Sequence, residues 1–239
     1  RAAMCFFDTM LLHLKNLLTE AELAQGRALM LDDDAPWIDG RRSAGEQAVQ
    51  QKNNQQLAQD SASAAALRAL VLGALRRDPL LFSAALPKKI FNPLFNRYSG
   101  ATTVYGAHID GAVLSSQATG EWVRSDLSCT VFLSDPEDYD GGELLIAQPA
   151  GEQRVKLPAG DAILYSGSTV HQVTPVSRGA RIASFFWVQS MVRSAEQREL
   201  LFTMDMDLLR LRQQLGEADP AVVGLTGTYH NLLRMWADA

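Results

Sequence analysis

Two side chains that commonly bind metal ions lie two positions apart near the middle of the chain, within the stretch Tyr105 to Asp110. The surrounding residues favour an extended backbone, and side chains two positions apart in a strand point to the same face. We therefore expect the imidazole of His108 and the carboxylate of Asp110 to converge on one point. This pattern arises by chance in many proteins, so a metal site needs a third ligand from elsewhere.

The third ligand is sought among the other histidines, which are His13, His171 and His230. His171 follows a predicted strand at 162–165 and a Ser-Gly-Ser turn, so we expect its side chain to point into a barrel. His230 lies among apolar residues on a predicted helix and is interpreted as structural. Two histidines and one carboxylate form the facial triad of non-haem iron(II) oxygenases, which leaves coordination positions open. The pattern therefore predicts an iron site.

Arg181 indicates what binds beside the metal. It stands ten residues after His171, on the next predicted strand, with Ala183 and Phe185 on the same face. A guanidinium that points into an apolar barrel is costly unless it meets an anion, and its planar fork suits a carboxylate. We therefore expect a molecule with a carboxylate to bind next to the metal.

The region from residue 90 to residue 190 contains the elements that must position these side chains. Short extended segments recur there, and Gly-, Pro- and Asp-rich turns separate them. Many short strands at this spacing predict a sandwich or jelly roll rather than a parallel sheet.

Helical patterns lie on both sides of this β region. Residues 60–77 place Leu67, Val71 and Leu75 on one helix face, and Ser194 with Gln197 has the spacing of a helix start. The predicted fold class is therefore α+β, with a mostly β core, an N-terminal helical layer and C-terminal helices. The Gly-punctuated segment 37–45 is predicted to be a loop, and the Gln- and Asn-rich segment 46–59 shows little periodicity.

Bulk properties exclude several classes of protein. The net charge of −5 gives no general footprint for nucleic acid or anionic membrane, and no apolar run approaches the length of a membrane helix. Two cysteines cannot make a disulfide framework, so a reducing, cytoplasmic location is expected. Residues 1–9 are expected to be an expression scar or a truncated upstream stretch, with Met10 as the native start.

These residues resemble the iron(II)- and 2-oxoglutarate-dependent dioxygenases, and within them the bacterial PKHD-type hydroxylases related to prolyl 4-hydroxylase catalytic domains. The resemblance covers nearly all of the chain after Met10. Its matching segments are Trp37 to Arg41, Asn96-Arg97-Tyr98, Tyr105 to Gly111, Asp140 to Leu144, His171-Gln172-Val173, Arg181 to Trp187, and Leu225-Thr226-Gly227 to Trp236.

The resemblance implies a domain plan and a ligand set. Residues 10–87 would be an N-terminal helical region, 88–190 a double-stranded β-helix (jelly roll) core, and 191–239 a C-terminal helical region packed on the core. His108, Asp110 and His171 would bind Fe(II), and Arg181 would hold the distal carboxylate of 2-oxoglutarate. O2 would be the other co-substrate, with ascorbate as an optional reductant.

The tyrosine that assists the co-substrate is less sharply defined. Tyr98 occupies the position, ten before the first iron histidine, where related prolyl hydroxylases place a tyrosine that hydrogen-bonds 2-oxoglutarate, and Tyr105 is a competing candidate. Phe132 stands where these enzymes can have a second such tyrosine. Carboxylate binding is therefore expected to depend more on Arg181, with Tyr98 or Thr169 assisting.

The implied activity is hydroxylation of an unidentified small-molecule or peptidyl substrate, coupled to decarboxylation of 2-oxoglutarate to succinate and CO2. The resemblance also suggests a link to iron uptake or homeostasis. Trp37, Arg41, Arg97 and Arg124 could line the substrate entrance, or each could be a packed or solvated surface group. The apolar C-terminal helices could wrap the barrel or pair with a second subunit in a homo-oligomer.

Two alternatives belong to other classes of protein. One keeps the metal without turnover, as an iron- or 2-oxoglutarate-responsive regulatory or binding protein. The other makes the β region a binding module in which both histidines are ordinary core or turn residues.

Overall fold

Two antiparallel β-sheets form the centre of the computed structural model, which describes residues 10–31, 35–43, 52–100, 103–116 and 120–239. The predicted extra residues 1–9 lie outside these ranges. In chain order, the strands are β1 (Leu11–Leu14), β2 (Trp37–Asp39), β3 (Lys52–Asn53), β4 (Gln55–Leu57), β5 (Pro87–Ile90), β6 (Leu94–Ser99), β7 (Val104–His108), β8 (Val113–Ser115), β9 (Trp122–Arg124), β10 (Leu127–Phe132), β11 (Tyr139–Gly141), β12 (Leu144–Gln148), β13 (Gly151–Val155), β14 (Ala162–Ser166), β15 (His171–Val173) and β16 (Val176–Ser190). The helices are α1 (Glu20–Leu31), α2 (Ala62–Arg77), α3 (Pro79–Ala85), α4 (Ala195–Leu215) and α5 (Pro220–Trp236).

The larger sheet has nine strands within the described residues. Its hydrogen-bonded order is β1-β14-β10-β16-β6-β4-β2, and β5 and β11 pair with other parts of β16. Because β16 is 15 residues long, it pairs with β10 on one side and β6 on the other and still extends beyond both. This strand is therefore the main support of the fold.

The smaller sheet has the order β13-β12-β15-β7-β3, and β8 and β9 form a separate hairpin. Apolar side chains of both sheets pack into one cluster, with Tyr98 and Phe132 from the larger sheet and Ile146 and Val173 from the smaller one. Two antiparallel sheets that share a core in this way form a β-sandwich, the architecture to which jelly rolls belong. The predicted fold class is therefore confirmed.

The N-terminal helices pack against the larger sheet. α2 buries Leu67, Val71 and Leu75 in a cluster that also contains Phe95 of β6. The side chain of Ser61 caps this helix by accepting the backbone N–H three residues further on. The helix predicted over 60–77 is therefore confirmed, and it spans Ala62–Arg77.

Helix α3 was not predicted from the sequence. Asp78 ends α2, since a residue that precedes a proline is disfavoured in the helical conformation. Its carboxylate also accepts the backbone N–H of Leu81 at 2.7 Å, and Pro79 occupies the first turn of α3. Since proline at that position costs no hydrogen bond, the same two residues end one helix and start the next.

The C-terminal helices α4 and α5 pack against each other and bury Leu86 and Val192 with them. Ser194 caps α4 by accepting the backbone N–H of Gln197 at 3.2 Å, as its spacing predicts. None of the helices in the described ranges combines the length and hydropathy that crossing a membrane requires.

Three local features differ from the sequence prediction. Trp37–Asp39 is a strand, β2, rather than a loop, and it pairs with β4 in the segment that showed little periodicity. Strands of two or three residues at a sheet edge are too short to show an alternation of apolar and polar residues. In addition, β7 ends at His108, so Asp110 lies just beyond the strand instead of within it.

Candidate metal centre

The register of the smaller sheet brings His108 and His171 together. His108 is the last residue of β7 and His171 is the first residue of β15, and the two are direct partners in the antiparallel pairing. Their ring centroids are 4.3 Å apart. His171 is buried and His108 is partly buried, so both imidazoles are largely shielded from solvent.

Asp110 completes a cluster with the two histidines. Its Oδ1 lies 4.0 Å from Nε2 of His108, and its Oδ2 lies 3.8 Å from Nε2 of His171. One ligand atom from each of the three side chains lies within 4.8 Å of the others. These separations are too long for hydrogen bonds and leave room for an ion between the three groups.

Backbone carbonyls orient both imidazoles. Nδ1 of His108 lies 2.8 Å from the carbonyl oxygen of Gly106, and Nδ1 of His171 lies 3.0 Å from that of Thr169. When Nδ1 donates to these carbonyls, Nε2 carries the lone pair that a metal ion requires. Burial, and then the proximity of His171, lower the pKa of His108 below its ordinary value of 6.5. The neutral, metal-binding form of this side chain is therefore favoured.

Neighbouring side chains fix the three groups further. Ser128 on β10 donates a hydrogen bond of 2.6 Å from its hydroxyl to Oδ2 of Asp110. Tyr105 stacks on the ring of His108, with centroids 3.7 Å apart, and Tyr165 meets His171 edge-on at 5.2 Å. The donor set, its orientation and its rigidity fit a divalent metal with nitrogen and oxygen ligands.

Arg181 lies in the wall of a cavity of about 570 Å³ that also contains the three candidate ligands. It is 1% exposed, and the sheet pairs it directly with Tyr98. The carbon at the centre of its guanidinium lies 5.3 Å from the Tyr98 ring centroid and 5.4 Å from that of Phe132. Its Nε has no hydrogen-bond partner among the described residues. A buried cation in this setting fits an anionic ligand.

The two candidate tyrosines occupy different parts of the cavity. Tyr98 is fully buried next to Arg181. Its hydroxyl lies next to the side chain of Asn54, but no described group forms a hydrogen bond of good geometry with it. Burial raises the pKa of Tyr98, so its hydroxyl remains a neutral donor. Tyr105 instead supports His108 through its ring. These positions favour Tyr98 as the tyrosine closer to Arg181.

Lys52 is a cavity residue that sequence reasoning missed. It is 3% exposed, and its Nζ lies 5.1 Å from the ring centroid of Tyr105. Burial lowers the pKa of Lys52 to about 8. One lysine in a Gln- and Asn-rich segment carries no sequence signal, because only the pairing of β3 with β7 brings it to the cavity.

The four residues predicted to line the substrate entrance are not part of the cavity wall. The guanidinium of Arg97 lies 4.6 Å from the centroid of the Trp37 ring, and Arg41 donates from Nε to the backbone carbonyl of Lys52. Arg124 forms an ion pair of 2.6 Å with a neighbouring aspartate. Their role at the entrance stays a prediction.

Comparisons with solved structures support the same architecture. A prolyl hydroxylase from Trichoplax adhaerens, in complex with a hypoxia inducible factor oxygen degradation domain peptide fragment, has a TM-score of 0.52 at 14% identity and covers 80% of this chain and 86% of its own. A non-heme alpha ketoglutarate dependent carbocyclase from nogalamycin biosynthesis has a TM-score of 0.54 at 16% identity, and the match covers 77% of this chain and 81% of the carbocyclase chain. At these identities the likeness concerns the fold alone.

Sequence comparisons identify the family. Residues 93–189 match the model of the 2OG-Fe(II) oxygenase superfamily, and residues 196–238 match that of the PKHD-type hydroxylase C-terminal domain. A PKHD-type hydroxylase of Polaromonas sp. (strain JS666 / ATCC BAA-500) is 58% identical, and one of Variovorax paradoxus (strain S110) is 57% identical, each over 96% of this chain and 100% of the relative. On this near full-length similarity, the chain belongs to the PKHD-type hydroxylases, within the 2OG-Fe(II) oxygenase superfamily.

Proposed function

We propose that His108, Asp110 and His171 hold the Fe(II) of this 2-oxoglutarate-dependent hydroxylase, and that Arg181 binds the distal carboxylate of 2-oxoglutarate. The observation that carries the proposal is the cross-strand pairing of His108 with His171, beside Asp110. Since this pairing is set by the backbone of the smaller sheet, the ligands are organised before any ion binds.

The protein's own groups then have distinct tasks. Asp110 supplies the negative charge that offsets part of the metal charge, and Ser128 keeps that carboxylate oriented. The carbonyls of Gly106 and Thr169 hold each imidazole with Nε2 towards the centre.

Arg181 and Tyr98 orient the co-substrate at the other end of its chain. A guanidinium between two aromatic rings meets a carboxylate in a defined plane, and the Tyr98 hydroxyl can donate to the same group or to its neighbour. Because this part of the cavity is buried, water competes poorly for these contacts.

The cofactors of the family are Fe(II), 2-oxoglutarate and O2. When bound, they would supply the oxidising chemistry: one oxygen atom of O2 enters succinate as 2-oxoglutarate loses CO2, and the other is inserted into a substrate C–H bond to give a hydroxyl group. The protein contributes binding, orientation and a shielded cavity of about 570 Å³, which has room for the co-substrate and part of a substrate.

The experiment that tests this proposal measures succinate formed from 2-oxoglutarate with Fe(II) and O2, across a panel of small-molecule and peptide substrates. We expect oxygen-dependent succinate formation by the wild type and none by Asp110→Ala. Arg181→Met should require at least about 100-fold more 2-oxoglutarate to form succinate at the same rate, because the substitution removes one member of a buried charged contact. Succinate formation by Asp110→Ala at the wild-type rate would contradict the ligand assignment.

The same assay separates the non-catalytic alternative. A regulatory protein that responds to iron or 2-oxoglutarate would bind both without consuming 2-oxoglutarate with any substrate. The link to iron uptake or homeostasis, the cytoplasmic location and the use of ascorbate remain predictions.

Self-association also remains a prediction. On the C-terminal helices, Leu200, Val223 and Met235 are more than half exposed, at 63%, 58% and 74%. Exposed apolar side chains on a pair of helices are consistent with pairing to a second subunit.

A further inference from the structure

The wall of the cavity changes from polar to apolar along strand β16. Alternate residues of this strand face the cavity, beginning with Arg181 and continuing to Phe185 and Trp187. The sheet pairs Arg181 with Tyr98, whereas it pairs Phe185 with Leu94, and all of these residues line the cavity. The part of the wall away from Arg181 is therefore apolar, and we call it the apolar end.

Edge-to-face aromatic contacts hold the apolar end in shape. The ring centroid of Trp187 lies 5.7 Å from that of Phe185 and 5.3 Å from that of Phe91, and both pairs meet nearly at right angles. Phe91, Leu94 and Val123 are buried in this cluster, whereas Phe185 and Trp187 are only partly buried. The cluster therefore presents two rings to the cavity on a packed base.

The β8–β9 hairpin closes the apolar end from another side. Leu114 and Val123 are direct partners in this hairpin, and both pack against the aromatic cluster. Leu114 also lies close to Gly111, since a Cβ added there would be 3.3 Å from Cδ2 of Leu114. The hydroxyl of Ser125 fixes the base of the hairpin by donating to the carbonyl of Gly111 at 2.7 Å. Because Gly111 follows Asp110, the hairpin places Leu114 beside a candidate metal ligand.

Strand register places the apolar end next to the proposed metal centre. Trp187 is the direct partner of Ser128, whose hydroxyl donates to Asp110. Direct partners in antiparallel strands project from the same face of the sheet, so the indole lies on the side that faces Asp110. Ile109, between two of the candidate ligands, also lines the cavity and is 56% exposed. A molecule that reacts at the metal therefore meets apolar surface.

The chemistry of these side chains selects the kind of group that fits. A polar group among Leu94, Leu114 and Trp187 would lose hydrogen bonds to water and find few replacements, whereas an apolar group gains by burial. The polar part of the cavity begins at Lys52, whose Nζ lies 5.9 Å from the ring centroid of Phe185. The apolar end therefore suits a group without charge or hydrogen-bonding atoms.

We propose that Leu114, Phe185 and Trp187 form the subsite that selects the substrate, and that this subsite binds an apolar group next to the carbon that is hydroxylated. The group is an aromatic ring or a branched aliphatic chain, carried by a free molecule or by a peptide side chain. Sugars and other polyols are excluded. This inference rests on the proposed function and narrows its substrate.

The test uses the full chain loaded with Mn(II), which replaces Fe(II) without turnover, and with saturating 2-oxoglutarate. The probes 4-fluorobenzyl alcohol and 2-fluoroethanol share a hydroxyl group and differ in the ring, and a capped tripeptide with central 4-fluorophenylalanine carries the ring on a peptide. Relaxation of the fluorine nucleus by Mn(II) reports both affinity and closeness to the metal.

We expect the wild type to bind at least one ring probe at least about tenfold more tightly than 2-fluoroethanol, because the ring buries far more apolar surface. The ring probe that binds more tightly shows whether the group is carried by a free molecule or by a peptide.

Three variants separate the subsite from the fold. Leu114→Asn should weaken binding of the ring probe by about tenfold, and Leu114→Ala, which adds no polar group, by about fivefold. Leu209→Asn makes the same change on α4, where Leu209 is 43% exposed and is not part of the cavity wall, and it should behave like the wild type. Binding of 2-oxoglutarate to each variant within about threefold of the wild type establishes that the cavity is intact.

The outcomes distinguish the two proposals. If the wild type does not bind 2-oxoglutarate, the proposed function itself fails. If it binds 2-oxoglutarate but binds both ring probes no more tightly than 2-fluoroethanol, the apolar subsite is overturned. It is also overturned if Mn(II) does not relax the bound ring probes, if these probes displace 2-oxoglutarate, or if the Leu114 variants bind them as tightly as Leu209→Asn does.

Discussion

At the residue scale, the proposed metal centre depends on how Asp110 is held from the opposite sheet. Asp110 lies beyond the end of β7, where no strand pairing fixes it, and the hydroxyl of Ser128 donates to its Oδ2 at 2.6 Å. We predict that Ser128→Ala weakens Mn(II) or Fe(II) affinity by about tenfold, because groups that orient a metal ligand contribute on this scale. The measurement is a titration of the metal ion into the metal-free protein, monitored by calorimetry.

A matched control is available for that substitution. Ser184 on β16 is also fully buried, and its hydroxyl has no partner in the described residues. Ser184→Ala should leave metal affinity unchanged. Equal affinities of Ser128→Ala and the wild type would contradict the role given to Ser128.

His108 makes the stability of the metal-free protein depend on pH. Its pKa is lowered in the folded state, so below the ordinary value of 6.5 the unfolded chain binds a proton that the folded chain does not. The contribution of His108 to the free energy of unfolding is therefore present above pH 6.5, and it is lost as the pH falls from 6.5 through the pKa of the folded state. We predict that the free energy of unfolding in EDTA falls less steeply with decreasing pH for His108→Gln than for the wild type. Parallel pH profiles from urea denaturation would refute this.

The residue types at the centre could be predicted because they are scarce in this chain. With four histidines in all and one His-x-Asp, few combinations had to be considered. Lys52 and Asn54 could not be identified in this way, since their place depends on a two-residue strand and its pairing with β7. The direct pairing of His108 with His171 was equally inaccessible, because register is a property of the folded sheet.

At the element scale, β16 carries Arg181 and depends on a glycine near its start. Gly179 has a φ of +72°, and a Cβ there would collide with the backbone carbonyl of Asp138, beside the pairing with β11. We predict that Gly179→Ala lowers the free energy of unfolding by about 2 kcal/mol more than Gly151→Ala does. Gly151 is the control because its φ is also positive, at +118°, but nothing lies within 4 Å of an added Cβ. Chemical denaturation measures both, and equal losses would show that the collision is relieved by movement.

Long elements, in which apolar residues recur over several turns, could be predicted from the sequence, and very short strands could not. The 16-residue helix α2 shows its buried face in the sequence. The strands β2, β3 and β4 have two or three residues each, and they take their structure from the sheet edges they extend. As a result, Trp37–Asp39 was predicted to be part of a loop but forms β2.

At the scale of the whole molecule, the two sheets bring together groups that lie far apart in the chain. The smaller sheet contributes the histidines and Lys52, and the larger sheet contributes Ser128, Tyr98 and Arg181. The helices pack mainly against the larger sheet or against each other. The cavity between the sheets is therefore built on rigid strands, which suits a site that must hold a metal and a co-substrate in a fixed relation.

The most direct test of the metal and co-substrate site is an anaerobic titration of 2-oxoglutarate into protein loaded with Fe(II), followed by visible absorption. Chelation of Fe(II) by a 2-oxo acid produces a charge-transfer band and requires no knowledge of the substrate. We predict this band for the wild type, its appearance only at about 100-fold higher 2-oxoglutarate for Arg181→Met, and its absence for Asp110→Ala. A band of wild-type intensity from Asp110→Ala at the same Fe(II) and 2-oxoglutarate concentrations would contradict the assignment.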